Sequence, residues 1–293
     1  MKIAIYGRKL EKDNIQYVHD LINALSKYHF EIYFFDVFYH SLELQEQYIS
    51  QINGLFSGNA DIQPDIDCLI SIGGDGTFLD TLEIVRDTSI PVIGINYGRM
   101  GFLASISRED DIENVIKDLY ERKYTIEERS LLKVESKNNV IPGFNEALND
   151  MTIQKKESQM ITVHVYLDGQ LLNSYWADGL IIATPTGSTA YSLSVGGPIL
   201  LPETNNFIIS PISPHTLTVR PIVVPGNCEI TLKPESRSTK YLVTMDHRTE
   251  IIKGEISLKV TRARYDMKII RLMHTNFYNT LRNKLMWGID RRN

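Results

Sequence analysis

Two architectures in succession are predicted from this chain: an α/β N-terminal domain on a parallel, Rossmann-like sheet, then an all-β, β-sandwich-like domain. A tail helix returns to the first domain. Strand and helix signals alternate through residues 1–124, and that succession implies parallel strands with covering helices. From 125 to 268 short apolar runs recur between turn signals, with few long helical patterns. Residues 269–293 regain helical spacing. At 293 residues the chain also exceeds the usual size of a single core.

Lys2–Tyr6 is a short apolar run ending at Gly7, and reads as the first strand. Ile15, Val18, Ile22 and Leu25 recur at helical spacing, and Glu31–Phe38 is aromatic and β-branched, hence a strand. Ser41–Asp61 is polar with scattered Leu and Ile, and reads as helix, then loop. Cys68–Ile72 is a buried strand, Phe78–Val85 a helix and Pro91–Ile95 another strand. Ile112, Val115, Ile116 and Leu119 mark an amphipathic helix. In the second part Ile161, Val163, Val165 and Leu167 alternate with polar residues, Asp168-Gly169 signals a tight hairpin, and Gln170–Tyr175 returns. Prolines 211, 214, 221, 225 and 234 punctuate later strands, and Phe277, Leu281 and Leu285 give the tail its helix.

Hydrophobic residues at 43% and charged residues at 23% are ordinary for a globular protein. A net charge of −5 argues against a dedicated nucleic-acid binder, which needs a basic surface. No apolar stretch is long enough to span a bilayer, and Met1–Gly7 reads as a strand rather than a signal segment. Cys68 and Cys228 lie far apart without partners at metal-ligand spacing, so the expected compartment is the reducing cytoplasm.

Two segments carry chemistry. Gly73-Gly74-Asp75-Gly76-Thr77 falls between a strand and a helix, at the sheet edge where open α/β folds bind ligands. Its glycines let backbone N–H groups approach an anion at the start of the helix. A carboxylate there would repel phosphate, so Asp75 either binds Mg²⁺, removes a proton from an attacking hydroxyl, or merely caps the helix. The loop lacks the Lys-Ser/Thr pair of a Walker A motif. The second segment, Thr184–Pro198, follows the apolar run Gly179–Ala183. It concentrates the hydroxyls of Thr184, Thr186, Ser188, Thr189, Ser192 and Ser194 with Tyr191 and three glycines. That density suits close approach to a polar ligand, although a plain Ser/Thr/Gly surface loop has the same composition.

Taken together, these motifs resemble the NAD kinase family. Gly73–Thr77 is shared with diacylglycerol and sphingosine kinases and, in a variant form, with 6-phosphofructokinases, whereas Thr184–Pro198 after Asp178-Gly179 is far more restrictive. Asn96–Leu103, Ala147-Leu148-Asn149-Asp150 and Met245-Asp246 resemble further blocks of the family, so the likeness runs through the whole chain. The resemblance implies a kinase that phosphorylates the adenosine ribose 2′-hydroxyl of NAD, with Mg²⁺ or another divalent cation and ATP or another phosphate donor. It implies Asp75 as catalytic acid/base, with Gly73, Gly74, Gly76 and Thr77 forming the phosphate-facing loop. On the dinucleotide side it implies Asp75, Gly76, Phe102, Asn149, Asp150, Trp176, Asp178, Thr189, Ala190, Tyr191, Ser192, Leu193, Ser194, Asp246 and Arg248.

Trp176 stands where many bacterial members have Arg, and Arg248 where others have Gln, which bears on dinucleotide preference. His247 is expected to be structural or to act behind the site. The family further implies a homo-oligomer, dimer or tetramer, whose β-rich domains contribute to neighbouring sites. Two other readings compete: a lipid or sugar kinase sharing the Gly73–Thr77 loop, and a non-catalytic dinucleotide sensor. Retention of Asp75 counts against the sensor.

Overall fold

The alternating periods of the first third become strands and helices laid down in turn. The computed structural model describes all residues except 12–13, 97–100, 105, 109, 137–140, 142, 274–275 and 289–293. Two units form: Met1–Glu128 with the chain from Lys268 onward, and Arg129–Met267.

The first unit contains β1 (Lys2–Gly7), α1 (Ile15–Lys27), β2 (Glu31–Phe35), α2 (Asp36–Ser41), α3 (Glu46–Ile49), β3 (Gly54–Phe56), β4 (Cys68–Ile72), α4 (Asp75–Val85), β5 (Val92–Asn96), β6 (Ile106–Ser107) and α5 (Ile112–Tyr120). The order β5-β4-β1-β2-β3 is parallel throughout, and β6 adds beside β5. Every residue of β4 and β5 is buried, which is why they read as unbroken apolar runs: the sheet is covered on both faces. α1 turns Val18, Leu21, Ile22 and Leu25 fully inward, each contributing up to about 1.5–3 kcal/mol. α5 begins at Asp111, whose carboxylate accepts the Glu113 N–H at 3.0 Å, and buries the four predicted apolar positions.

Two expectations are corrected here. The strand read over Glu31–Phe38 stops at Phe35, and α2 follows. Asp36 places a carboxylate in the first turn of α2 and accepts the Val37 N–H at 2.6 Å, while Phe38 swings into the core against Gly7. Ser41–Asp61 is not simply helix and loop, because it also holds β3, a three-residue edge strand paired to β2. So short a strand has too few residues to show a period.

The second unit holds β7 (Tyr124–Ser136), β8 (Glu146–Ala147), β9 (Asp150–Lys155), β10 (Ile161–Leu167), β11 (Gln170–Ala177), β12 (Gly179–Ala183), a 3₁₀ turn (Thr186–Thr189), α6 (Tyr191–Ser194), β13 (Asn206–Ile212), β14 (Ile222–Pro225), β15 (Ile230–Glu235), β16 (Lys240–Met245), β17 (Arg248–Lys253) and β18 (Leu258–Leu272). β7 starts, and β18 ends, in the first unit, where Ile269 pairs with Val92. One sheet orders β14-β13-β12-β9-β16-β17, and β11-β10-β15-β18 run side by side in another. Ile153, Leu180, Ile182, Ile209 and Val243 from the first meet Val163, Val165, Leu232 and Val260 from the second in one buried cluster, the core of a sandwich. The β10–β11 hairpin turns at Asp168 and Gly169, both with positive φ (48° and 81°), as its two-residue loop demands.

α7 (Phe277–Leu285) belongs to the first unit. Asn276 caps it by accepting the Asn279 N–H at 2.8 Å, and Leu281 is buried. No described helix is long and apolar enough to cross a membrane.

Candidate active site

Gly73–Thr77 leads out of β4 into the first turn of α4, at the carboxyl edge of the parallel sheet. Gly73 has φ 150°, and a Cβ there would lie 2.4 Å from Thr77 Oγ1, so the turn admits only glycine. Thr77 is buried beneath the turn, while Gly74 and Gly76 are exposed and present the start of α4. The first N–H groups of a helix lack intrahelical partners and carry its positive end. Arg8 fastens α4 at this edge, its Nε and Nη2 donating to Asp80 at 2.7 and 2.8 Å.

Asp75 does not cap α4. The N-cap is Gly74, and the Asp75 carboxylate turns to accept three successive backbone N–H groups: Phe102 to Oδ2 at 2.8 Å, Leu103 and Ala104 to Oδ1 at 3.2 Å each. Gly101 closes the cradle, since a Cβ on it would fall 1.5 Å from Asp75 Oδ1. Phe102, half-buried, lies under Lys284, whose Nζ is 5.1 Å from the ring centroid. Burial pulls the Lys284 pKa down, opposed by the negative charge of Asp75. The neighbouring motif positions 97–100 lie outside the described residues.

In the second unit three segments converge at one end of the β12–β9–β16 array. Ala183 pairs with Asp150, and Met245 with Met151, so the turn after β12 and the hairpin after β16 both reach the entry of β9. Thr184 donates through N to the Asn149 carbonyl (2.9 Å) and through Oγ1 to the Leu148 carbonyl (2.5 Å). Gly187 packs so close that a Cβ would lie 2.0 Å from Asn149 O. The segment read as a loop is a 3₁₀ turn and a short helix, α6. Thr184, Thr186, Ser188 and Ser192 are buried: Ser188 Oγ accepts the Leu200 N–H at 3.0 Å, and Ser192 Oγ pairs with Ser210 Oγ at 3.0 Å. Much of the hydroxyl density is therefore internal scaffolding. Thr189 and Ala190 are partly exposed, Tyr191 is exposed, Leu193 is half-buried and Ser194 lies open. Among the described residues the Asn149 side-chain amide has no protein partner, which leaves its donor and acceptor available.

Asp246 sits at the β16–β17 turn with φ 54° and accepts N–H groups of Leu148 (2.9 Å), Asn149 (2.7 Å) and Asp150 (3.3 Å). Burial pushes its pKa up, against the pull of these amides and of Arg248. Asp150, 5% exposed, is pushed up to about 7, first by burial and then by the Asp246 charge. Arg248 donates to the carbonyls of Phe144 (2.9 Å) and Glu146, and stacks over the Phe144 ring, so it braces the strand entry. His247 is exposed at the same turn.

Asp178 and Trp176 are not gathered with the rest. Gly179 pairs with Gln154, so Asp178 precedes β12 at the end opposite Asp150, and its carboxylate pairs with Lys155 Nζ at 2.5 Å. Trp176 is 54% exposed beside His215, with ring centroids 5.2 Å apart. Sequence reasoning placed Gly101 in the Asn96–Leu103 block without a role of its own, and missed Lys284 and Arg271 behind the Asp75 cradle. Nothing local marks those two, since each acts on residues distant in the chain.

A sequence profile described as the ATP-NAD kinase N-terminal domain matches residues 3–124, and one described as the ATP-NAD kinase C-terminal domain matches 148–272. An NAD kinase of Cytophaga hutchinsonii is 42% identical over 295 residues, and one of Flavobacterium psychrophilum 43% over 296, each pair matched over 100% of both chains. A crystal structure of yeast NADH kinase complexed with NADH superposes with TM-score 0.86 at 22% identity, over 99% of this chain and 89% of that one. An NAD kinase from Archaeoglobus fulgidus in complex with ATP gives 0.74 at 22%, over 98% and 99%. The structural likeness is one of fold; the full-length sequence identity goes further, and by it the chain belongs to the NAD kinase family of phosphotransferases.

Proposed function

We propose that the chain transfers the terminal phosphoryl group of ATP to the 2′-hydroxyl of the adenosine ribose of NAD, giving NADP and ADP. The observation that carries this reading is Asp75, a carboxylate fixed in the first turn of α4 beside exposed glycines. In the step, the ribose oxygen bonds to the γ-phosphorus, the bond from phosphorus to the ADP oxygen breaks, and the hydroxyl proton passes to Asp75. Oδ2 holds one amide bond against two on Oδ1, so it is the oxygen with room for that proton. Gly73, Gly74, Gly76 and Thr77 shape the turn that faces the phosphates. Asn149, Asp150, Thr189, Ala190, Tyr191 and Ser194 are assigned to the dinucleotide, with Tyr191 offering a ring face to a base. Ser192, Leu193, Asp246 and Arg248 hold that surface in place.

Mg²⁺ would neutralise charge on the transferring phosphate. Asp75 retains a lone pair for it, and no described group of three or more His, Cys, Asp or Glu side chains is placed to hold a metal. That donor set suits an ion carried largely by the phosphates. Incubating the protein with NAD, ATP and Mg²⁺ and reading NADP with an NADP-specific dehydrogenase tests the proposal. Phosphorylation of a lipid or sugar with none of NAD would overturn it.

The reading extends to a cytoplasmic homo-oligomer, dimer or tetramer. Its support is the family resemblance and the separation of Asp178 and Trp176 from Asp150 by a fully buried strand. A second copy supplying one set would unite them. Mixing Asn149→Ala with Asp178→Ala protein should then restore part of the activity each lacks; no recovery after subunit exchange speaks against shared sites.

A further inference from the structure

Arg271, in the last stretch of β18, is 8% exposed and lies outside every motif of the sequence. Its Nε is 3.1 Å from Glu127 Oε2, which fixes the plane of the guanidinium. Its Nη2 donates to the Phe102 carbonyl at 3.2 Å, and its Nη1 to the Leu103 carbonyl at 3.3 Å. Those two carbonyls share their peptide planes with the Leu103 and Ala104 N–H groups, and these N–H groups donate to Asp75 Oδ1. In a trans peptide the C=O and N–H point in opposite directions. Each plane therefore has the guanidinium at its oxygen and the carboxylate at its hydrogen. Its dipole, about 3.5 D, runs favourably between cation and anion. Hydrogen bonds chained in this way polarise and strengthen one another.

The bridge has no room to slip. Leu103 and Ala104 are buried, and Ala104 presses on β5 so closely that a Cβ on Gly94 would lie 2.6 Å from Ala104 Cα. On the Asp75 side, Gly101 is the only residue type that leaves space for the carboxylate.

We infer that Arg271 is a positioning residue for the reaction: it fixes the Asp75 carboxylate through two peptide planes without touching substrate. The inference rests on Asp75 being the proton acceptor. The competing reading is that Arg271 only welds β18 to the 102–104 segment, and so contributes stability alone.

Kinetics of the full-length enzyme separate the two, using Arg271→Gln and Arg271→Lys, each alone and combined with Asp75→Asn. Arg271→Gln is expected to lower kcat by about tenfold to a hundredfold, the scale of a misplaced catalytic group, with KM for NAD and ATP unchanged within about twofold. Arg271→Lys keeps the charge but only one of the two carbonyl bonds, and should recover part of the loss. In the Asp75→Asn background Arg271→Gln should cost less than about twofold more, because the group it positions is gone. An equal loss in both backgrounds, or a lowered melting temperature with kcat unchanged, overturns the inference. Should Arg271→Gln fail to fold, the same comparison with Arg271→Lys decides. Wild-type turnover in Asp75→Asn alone would instead sink the assignment of Asp75, whatever Arg271 does.

Discussion

An aspartate in each unit accepts three successive backbone amides: Asp75 from Phe102, Leu103 and Ala104, and Asp246 from Leu148, Asn149 and Asp150. In both, one oxygen takes two bonds and the other takes one. The surroundings differ. Asp246 faces the buried carboxyl of Asp150 and is flanked by Arg248, itself tied to two carbonyls. Asp75 stands beside exposed glycines at the start of a helix, where an anion is favoured. Counting hydrogen bonds thus does not separate a structural acid from the one proposed to react. What lies on the open side of the carboxylate does.

The sharpest break in that comparison is Asp75→Asn. Turnover should fall at least about a hundredfold, the scale of general-base loss, while calorimetry finds NAD affinity retained or tightened. A folded variant with near wild-type kcat would reduce Asp75 to the rank of Asp246. Asp246→Asn should behave oppositely: an amide cannot accept from all three N–H groups, and losing charge-assisted bonds costs about 1.5–3 kcal/mol, read as a lower denaturation midpoint. Its kcat at saturating NAD should change far less than that of Asp75→Asn.

Glycine substitutions refine the contrast. In Gly101→Ala the new methyl meets the Asp75 carboxylate, so kcat should drop by about tenfold or more, in excess of the stability lost with the displaced amide bonds. In Gly187→Ala it meets backbone, so the melting temperature should fall instead. Asp178→Ala and Tyr191→Ala should each raise KM for NAD about tenfold and KM for ATP less, the cost of one lost contact. Equal effects on both substrates would remove the assignment.

A separate test of the second unit is pH. Asp150 is raised in the folded chain from 3.8 to about 7, so the folded state binds the extra proton between those values. Stability should therefore fall as pH rises from 4 to 7, by at most about 4 kcal/mol, and level off above. Asp150→Asn should flatten that fall in denaturation series at pH 5 and pH 8. An unchanged slope would place the titration elsewhere.

Much of the molecule was legible because burial imposes a period. α1 and α5 each need one apolar face, and β10 alternates because one face meets the core, so their residues announce them. β13 and β15 were not delimited, because the prolines read as punctuation lie inside them. Pro211 lies beyond the last β14 partner, and Pro234 beyond the last β18 partner, so neither removes a needed N–H. What escaped was short or non-local: β3 is three residues long, and α2 turns on a single acid.

The sequence by itself determined the two fold classes, the glycine turn with Asp75 at a sheet edge, and membership of a kinase family, because these rest on local spacing and motif order. Only the tertiary structure decided which motif residues face outward. Thr184, Thr186, Ser188 and Ser192 spend their hydroxyls inside, and Arg248 braces a strand rather than standing open. It alone brought Phe102–Ala104 and Arg271 to Asp75. A hydrogen bond between residues far apart in the chain leaves no period and no spacing to read, since its geometry exists only once the sheet has set the distance.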